Sequence, residues 1–119
     1  MKTHKDLDIW KKGVDLVTDI YKITGKFPKE EIYGLTSQMR RSAISYPSNI
    51  AEGAAKNTKS DYIRFIYISL GSLSELETQV IISKNLGLIS DTKDLLNKIE
   101  ILRKMTLNFI KYLRNKVSK

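Results

Sequence analysis

The chain has 119 residues, 41% of them hydrophobic and 29% charged, a mixture typical of one globular domain with one core. It contains no cysteine, which excludes disulfides and thiolate metal sites, and we expect a cytoplasmic protein. No apolar run approaches the roughly 18 residues needed to cross a bilayer, so we expect no membrane contact. The formal net charge of +8 favours a polyanionic partner.

Breaks at residues 25–28, 53–60 and 87–91, each beginning with glycine, divide the chain into four stretches with helical hydrophobic spacing. In the first stretch, residues 6–24, two apolar rows lie side by side and form a stripe wider than one bundle seam requires. The second stretch, residues 29–55, contains Pro47. Proline has no N–H to donate within the helix, which predicts a kink. Two shorter helices broken at Tyr46 are the alternative interpretation.

The third stretch, residues 60–85, begins after Thr58, a good residue for the N-terminal cap of a helix. Residues 62–68 are rich in β-branched and aromatic side chains, which locally favours a strand. The length of the stretch and its continuing period of 3.6 favour a helix instead. Gly87 is expected to end that helix in the left-handed conformation.

The fourth stretch, residues 91–117, keeps a seven-residue apolar repeat after a cap at Ser90 or Asp91. The four stretches together predict an all-α fold, an antiparallel up-down-up-down four-helix bundle filling one domain over residues 1–119. The third stretch, like the first, carries two apolar rows side by side. Apolar surface of this width would be left in water on a single bundle, so the wide stripes of these two stretches predict a closed homo-oligomer. The alternative is that each wide stripe serves two neighbouring helices within one bundle.

Five motifs occur in order between residues 7 and 88. They are Leu7-Asp8-Ile9-Trp10-Lys11-Lys12, Phe27-Pro28-Lys29-Glu30-Glu31, Tyr33-Gly34-Leu35 with Gln38-Met39-Arg40-Arg41, Pro47-Ser48-Asn49-Ile50-Ala51-Glu52-Gly53, and Gly71-Ser72-Leu73-Ser74-Glu75-Leu76-Glu77. As an ordered set they resemble the bacterial 23S rRNA-intervening-sequence proteins. The chain departs from them at Ser42, where members often carry alanine, and at Leu70, where a basic residue is common.

The resemblance implies a four-helix bundle that assembles as a ring-like homopentamer. It further implies similarity to the accessory protein of diversity-generating retroelements, a relative associated with nucleic-acid binding through a basic exterior. Leu70 lacks the charge that the basic residue of other members brings to this position, which argues against an anion role there.

A row of polar side chains at steps of three and four follows the second stretch: Gln38, Arg41, Ser45, Asn49 and Glu52. Such a row forms either a binding groove or an interhelical network, and the presence of both charge signs favours the network. In that network Arg40 or Arg41 pairs with a carboxylate of the third stretch. The candidate carboxylates are Glu75 and Glu77.

Basic residues outside this row are the candidate phosphate contacts. They are Lys56, Lys59, Arg64, Lys104, Lys111 and Arg114. Side chains of this kind contact phosphates without reading bases, and no DNA- or RNA-recognition motif is present, so we expect binding without sequence preference. An ordinary solvated surface is the alternative for any one of these residues.

Catalysis has little support in the sequence, since His4 is the lone histidine and no serine has a histidine base. No glycine-rich phosphate loop is present, and we expect no enzyme activity, cofactor or metal. The function predicted is that of a homopentamer that binds RNA or DNA through its basic surface. The alternative is a structural or adaptor module that recruits a protein partner without binding nucleic acid.

Overall fold

Four α-helices form the computed structural model of the protein, which describes residues 3–116. They are α1 (Asp8–Thr24), α2 (Leu35–Ala54), α3 (Lys59–Asn85) and α4 (Lys93–Asn115). Short 3-10 helices occur at His4–Asp6 and Lys29–Glu31. Residues 3–116 contain no strand, so the helical interpretation of residues 62–68 is confirmed. No helix in this part of the chain is suited by length and apolarity to crossing a membrane.

The start of the second helix was predicted wrongly. The sequence pattern predicts a helix from residue 29, but α2 begins at Leu35. Gly34 has φ −114° and ψ −116°, which lies outside the helical region, and the Glu31 carboxylate accepts a hydrogen bond from the Leu35 N–H at 3.2 Å. The apolar residues that suggested an earlier start are not buried, and Tyr33 is 95% exposed.

α2 passes through Pro47 without interruption, so the alternative of two helices broken at Tyr46 is wrong. Pro47 is buried, on the side of α2 that faces α1. Gly13 of α1 is its neighbour there, because a Cβ atom added at Gly13 would lie 3.5 Å from the Pro47 Cβ. The Tyr46 carbonyl, one residue before the proline, accepts a hydrogen bond from the Ser69 hydroxyl at 2.8 Å. The kink stays a prediction.

The ends of α3 follow the residues that the sequence singled out. The Thr58 hydroxyl accepts a hydrogen bond from the Asp61 N–H at 3.1 Å, as expected of an N-cap. Gly87 has φ +77°, and its N–H donates to the Lys84 carbonyl at 3.0 Å while the Leu88 N–H donates to the Ser83 carbonyl at 2.9 Å. This is the Schellman motif that a glycine after a helix permits.

α4 begins later than predicted. Thr92 rather than Ser90 or Asp91 is its N-cap residue, and the Asp91 carboxylate accepts a hydrogen bond from the Lys93 N–H at 3.0 Å. The predicted end at residue 117 lies outside the described residues.

Contacts join the four helices in a closed cycle, as in a bundle. Arg40 Nε donates to Thr24 Oγ1 at 3.0 Å between α2 and α1, and Ser72 donates to Ser45 at 2.8 Å between α3 and α2. Arg103 pairs with Glu77 at 2.7 Å between α4 and α3, and Lys98 pairs with Asp19 at 3.0 Å between α4 and α1. The core draws buried side chains from all four helices. At its centre the Tyr46 hydroxyl lies 2.8 Å from Thr106 Oγ1, which joins α2 to α4.

Candidate nucleic-acid interface

The positive charge of the protein is concentrated on α4. This helix carries six basic and two acidic residues, a net of +4. α1 and α3 each carry three of either sign, and α2 has a net charge of +1. Two of the six basic residues of α4, Lys98 and Arg103, pair with Asp19 of α1 and Glu77 of α3. The other four basic residues of α4 form no salt bridge within residues 3–116.

Lys104 and Lys111 lie on this outer face. Both are exposed, and seven positions separate them, which is two turns of helix and roughly 10 Å along its axis. Neither forms a salt bridge to any residue between 3 and 116. Their ammonium groups are available to an external anion.

The C-terminal end of α4 meets the N-terminal part of α3, and there basic side chains lie against aromatic rings. We call this region the basic–aromatic end; it comprises Lys56, Lys59, Arg64, Phe65, Tyr67, Tyr112, Arg114 and Lys116. Four of the six predicted phosphate contacts belong to it: Lys56, Lys59, Arg64 and Arg114. The fold thus brings together residues that are far apart in the sequence.

Cations contact rings throughout the basic–aromatic end. Lys56 Nζ lies 5.1 Å from the centre of the Phe65 ring, and the Arg64 guanidinium lies 4.6 Å from it. Arg114 Nη2 donates to the Tyr67 hydroxyl at 2.9 Å, with the guanidinium 5.4 Å from the Tyr67 ring. Such contacts hold long side chains in place while their remaining N–H groups stay in solvent.

Lys59, one of the predicted phosphate contacts, is hydrogen-bonded within the bundle. Its ammonium group donates to the main-chain carbonyls of Arg114 at 3.3 Å and Lys116 at 3.0 Å. These carbonyls lie at the negative end of the α4 dipole, where a cation is stabilising. Lys59 therefore ties the end of α4 to the start of α3, and fewer of its N–H groups remain for a phosphate.

The interhelical network predicted between the arginines of α2 and the glutamates of α3 is wrong in its pairing. Within residues 3–116, no salt bridge joins Arg40 or Arg41 to Glu75 or Glu77. Two positions apart on a helix correspond to about 200°, so the two glutamates face different neighbours. Glu75 accepts a hydrogen bond from Ser42 at 3.0 Å, whereas Glu77 is turned towards α4.

Arg40 lies over the Tyr21 ring at 4.4 Å, on the side of α2 that faces α1. In the polar row itself, Ser45 accepts a hydrogen bond from Ser72 of α3, which is a contact between helices. The Asn49 amide donates to the Ser45 carbonyl at 2.8 Å and to its hydroxyl at 3.0 Å. The remaining members of the row are exposed: Gln38, Arg41 and Glu52.

The sequence profile of the 23S rRNA-intervening sequence proteins matches residues 5–108. The chain belongs to this family. The match extends beyond residue 88 and includes most of α4, where the motifs in the sequence indicate little. A search of curated proteins finds no match.

The candidate phosphate contacts predicted from the sequence are all basic, and the aromatic residues beside them were not predicted. Phe65 directly follows Arg64, and Tyr112 directly follows Lys111, so an aromatic residue adjoins a basic one at both places. Adjacent basic and aromatic residues are the feature of the sequence from which these rings could be predicted. Among residues 3–116, no group of three or more histidine, aspartate or glutamate side chains is arranged to hold a metal.

Proposed function

We propose that the protein is a non-catalytic, homo-oligomeric four-helix bundle that binds RNA or DNA without sequence preference. The observation that carries the proposal is the net charge of +4 on α4, continuous with the basic–aromatic end. Exposed lysines attract phosphates of any sequence, because the attraction depends on charge and not on base edges.

The helices of the proposed bundle run antiparallel, up-down-up-down. Two contacts between α1 and α2 support this, because Thr24 near the end of α1 contacts Arg40 near the start of α2, and Gly13 lies against Tyr46 further along α2. Between α1 and α4, Asp19 in the second half of α1 contacts Lys98 in the first half of α4. Contacts at these positions are expected of neighbouring helices that run in opposite directions.

Exposed apolar residues support a homo-oligomer, which we propose is a pentamer. Ile68, Ile81 and Ile82 of α3 and Ile101 and Leu107 of α4 are each 41–46% exposed. Apolar surface that one subunit leaves in water is buried when copies associate. Five copies at +8 each carry a formal charge of +40, which strengthens the local field at every basic face.

The alternative function, an adaptor that recruits a protein partner without binding nucleic acid, is favoured by one region. Ile32, Tyr33 and Leu86 are all exposed, by 53%, 95% and 62%. The Ser83 hydroxyl donates a hydrogen bond to the Met39 sulfur at 3.4 Å, which places the start of α2 beside the end of α3. Ile32 and Tyr33 precede α2 and Leu86 follows α3, so all three belong to this region. An apolar surface there suits a protein partner more than a polyanion.

Charge reversal on α4 tests the proposal. In Lys104→Glu/Lys111→Glu we expect affinity for a labelled single-stranded RNA or DNA to fall on the order of tenfold or more at 50 mM salt. The matched control is Lys11→Glu/Lys22→Glu on α1, because both double variants lower the net charge of +8 by four. Light scattering should give the same particle mass for both. Equal loss in the two variants, or no loss in either, would contradict a role for the α4 face.

A further inference from the structure

A pocket opens at the basic–aromatic end, between the N-terminal 3-10 helix and the adjoining ends of α2, α3 and α4. Its volume is about 280 Å³, and its walls include His4, Tyr62, Phe109, Tyr112 and Lys116. We call it the end pocket. Its size is near the lower limit of small-molecule sites, which suits one flat ring system and not a duplex.

Three rings in the end pocket form a continuous aromatic wall. The Tyr62 and Phe109 rings meet edge to face with centres 5.7 Å apart, and the Phe109 and Tyr112 rings stack at 6.0 Å with an angle of 25° between their planes. Tyr112 is 56% exposed, so this end of the wall reaches solvent. An aromatic face of this kind accepts a stacked base whatever its identity.

The charges around the end pocket suit a phosphate beside the base. Lys116 Nζ lies 6.0 Å from the Tyr112 ring, and Lys111 precedes Tyr112 directly on α4. Burial, followed by the proximity of Tyr112, raises the pKa of Tyr62, which favours its neutral phenol. None of the described residues lining this pocket is acidic, whereas the groove between α1 and α4 is lined by Asp15 and Asp19.

We propose that the end pocket holds an unpaired base of a single-stranded nucleic acid, stacked on Tyr112 with a neighbouring phosphate near Lys111 or Lys116. This inference rests on the proposed function and adds the class of nucleic acid to it. In a duplex the bases are already paired and stacked, so only their backbone reaches the lysines of α4. A single strand gains a stacking contact that a duplex lacks.

Trp10, the one tryptophan of the chain, provides a direct reporter of occupancy. Its ring meets the His4 ring edge to face, with centres 5.2 Å apart, and His4 lines the end pocket. A base entering the pocket contacts the His4 side of this pair and alters the environment of the indole. The expected signal is a saturable change in tryptophan emission.

The experiment titrates the full chain with a 12-nucleotide oligo(dT) and with the same strand in an oligo(dA)·oligo(dT) duplex. Anisotropy of a label on the DNA measures binding, and Trp10 emission measures entry into the pocket. We expect both signals with the single strand and anisotropy alone with the duplex. Tyr112→Ala should weaken single-strand binding about 5- to 150-fold and leave duplex binding unchanged, while Tyr112→Phe keeps wild-type affinity.

Tyr33→Ala is the matched control, because Tyr33 is also exposed but lies outside the basic–aromatic end. It should bind both DNAs as the wild type does. If DNA binds without a change in Trp10 emission, or if Tyr112→Ala binds the single strand normally, the end-pocket inference is overturned and the proposed function stands. If neither DNA binds, and a labelled oligo(U) of the same length does not bind either, both fall together.

Discussion

Alanine substitutions at two glycines, Gly13 and Gly71, should change stability in opposite directions. Alanine within a helix is favoured over glycine by roughly 0.5 to 1 kcal/mol, because it restricts the unfolded chain. At Gly71, in the middle of α3, an added Cβ meets no atom within 4 Å. The full gain is expected there, and Gly71→Ala should be more stable than the wild type by about 0.5 to 1 kcal/mol.

Gly13 lies where α1 packs closely against Tyr46 of α2. A Cβ added there would be 2.6 Å from Cδ2 and 2.7 Å from Cε2 of Tyr46, about 1 Å closer than carbon atoms pack. Tyr46 is 1% exposed, so its ring has no free space to move into, and a shift would strain the hydrogen bond with Thr106. Overpacking of this kind costs about 1 to 3 kcal/mol, which exceeds the helical gain.

The net expectation for Gly13→Ala is a loss of about 0.5 to 2 kcal/mol. Urea unfolding followed by circular dichroism measures both changes, at two protein concentrations because association stabilises the folded state. If Gly13→Ala is as stable as Gly71→Ala, the close contact of Gly13 with Tyr46 is refuted. If Gly71→Ala stabilises the subunit but reduces the particle mass, the outer face of α3 contacts another copy.

Three further predictions concern the core and the end of α4. Thr106→Val leaves the buried Tyr46 hydroxyl without its partner and should lower the free energy of unfolding by about 1 to 3 kcal/mol. Tyr46→Phe removes the hydroxyl itself and should lower it by only about 0.5 to 1.5 kcal/mol. Urea unfolding compares the two variants. Burial, opposed by the hydrogen bond with Thr106, raises the pKa of Tyr46 from 10.0 to about 12, so the folded state favours the neutral phenol. The resulting contribution to stability is complete below pH 10 and is lost as the pH rises through 12. Unfolding curves should therefore show a larger loss of stability at alkaline pH for the wild type than for Tyr46→Phe. Lys59→Met removes the cation at the end of α4 and should speed amide exchange in its last turn by about two- to fivefold, whereas Lys56→Met should leave that exchange unchanged.

Helical periodicity predicted the four α-helices, because each stretch buries its apolar side against its neighbours, but it did not predict the two 3-10 helices. The predicted third helix, residues 60–85, differs from α3 only at its first residue. Periodicity failed before α2, where Ile32 and Leu35 keep helical spacing although Ile32 is exposed. Spacing alone does not show whether an apolar side chain finds a partner, and the backbone conformation at Gly34 breaks the helix there.

The candidate interface was predictable in composition but not in arrangement. The basic character of the last helix is visible in the sequence, and that helix has the largest net charge in the structure. The contact of Lys59 with the carbonyl of Arg114 joins residues that are 55 positions apart, so it depends on how α3 and α4 pack. The pairing of Glu77 with Arg103 depends on the same packing, although the angle between Glu75 and Glu77 already excludes a common partner.

The dependence of single-stranded nucleic-acid binding on salt tests the central claim most directly. If four phosphates are neutralised, the logarithm of affinity falls by about 2.8 per tenfold rise in salt, roughly 50-fold between 50 and 200 mM. Anisotropy of a labelled oligonucleotide across this range should give that slope for wild-type protein and a shallower one when Lys104 and Lys111 are replaced by methionine. Affinity that does not change with salt, or slopes that are equal in the two proteins, would contradict phosphate binding by α4.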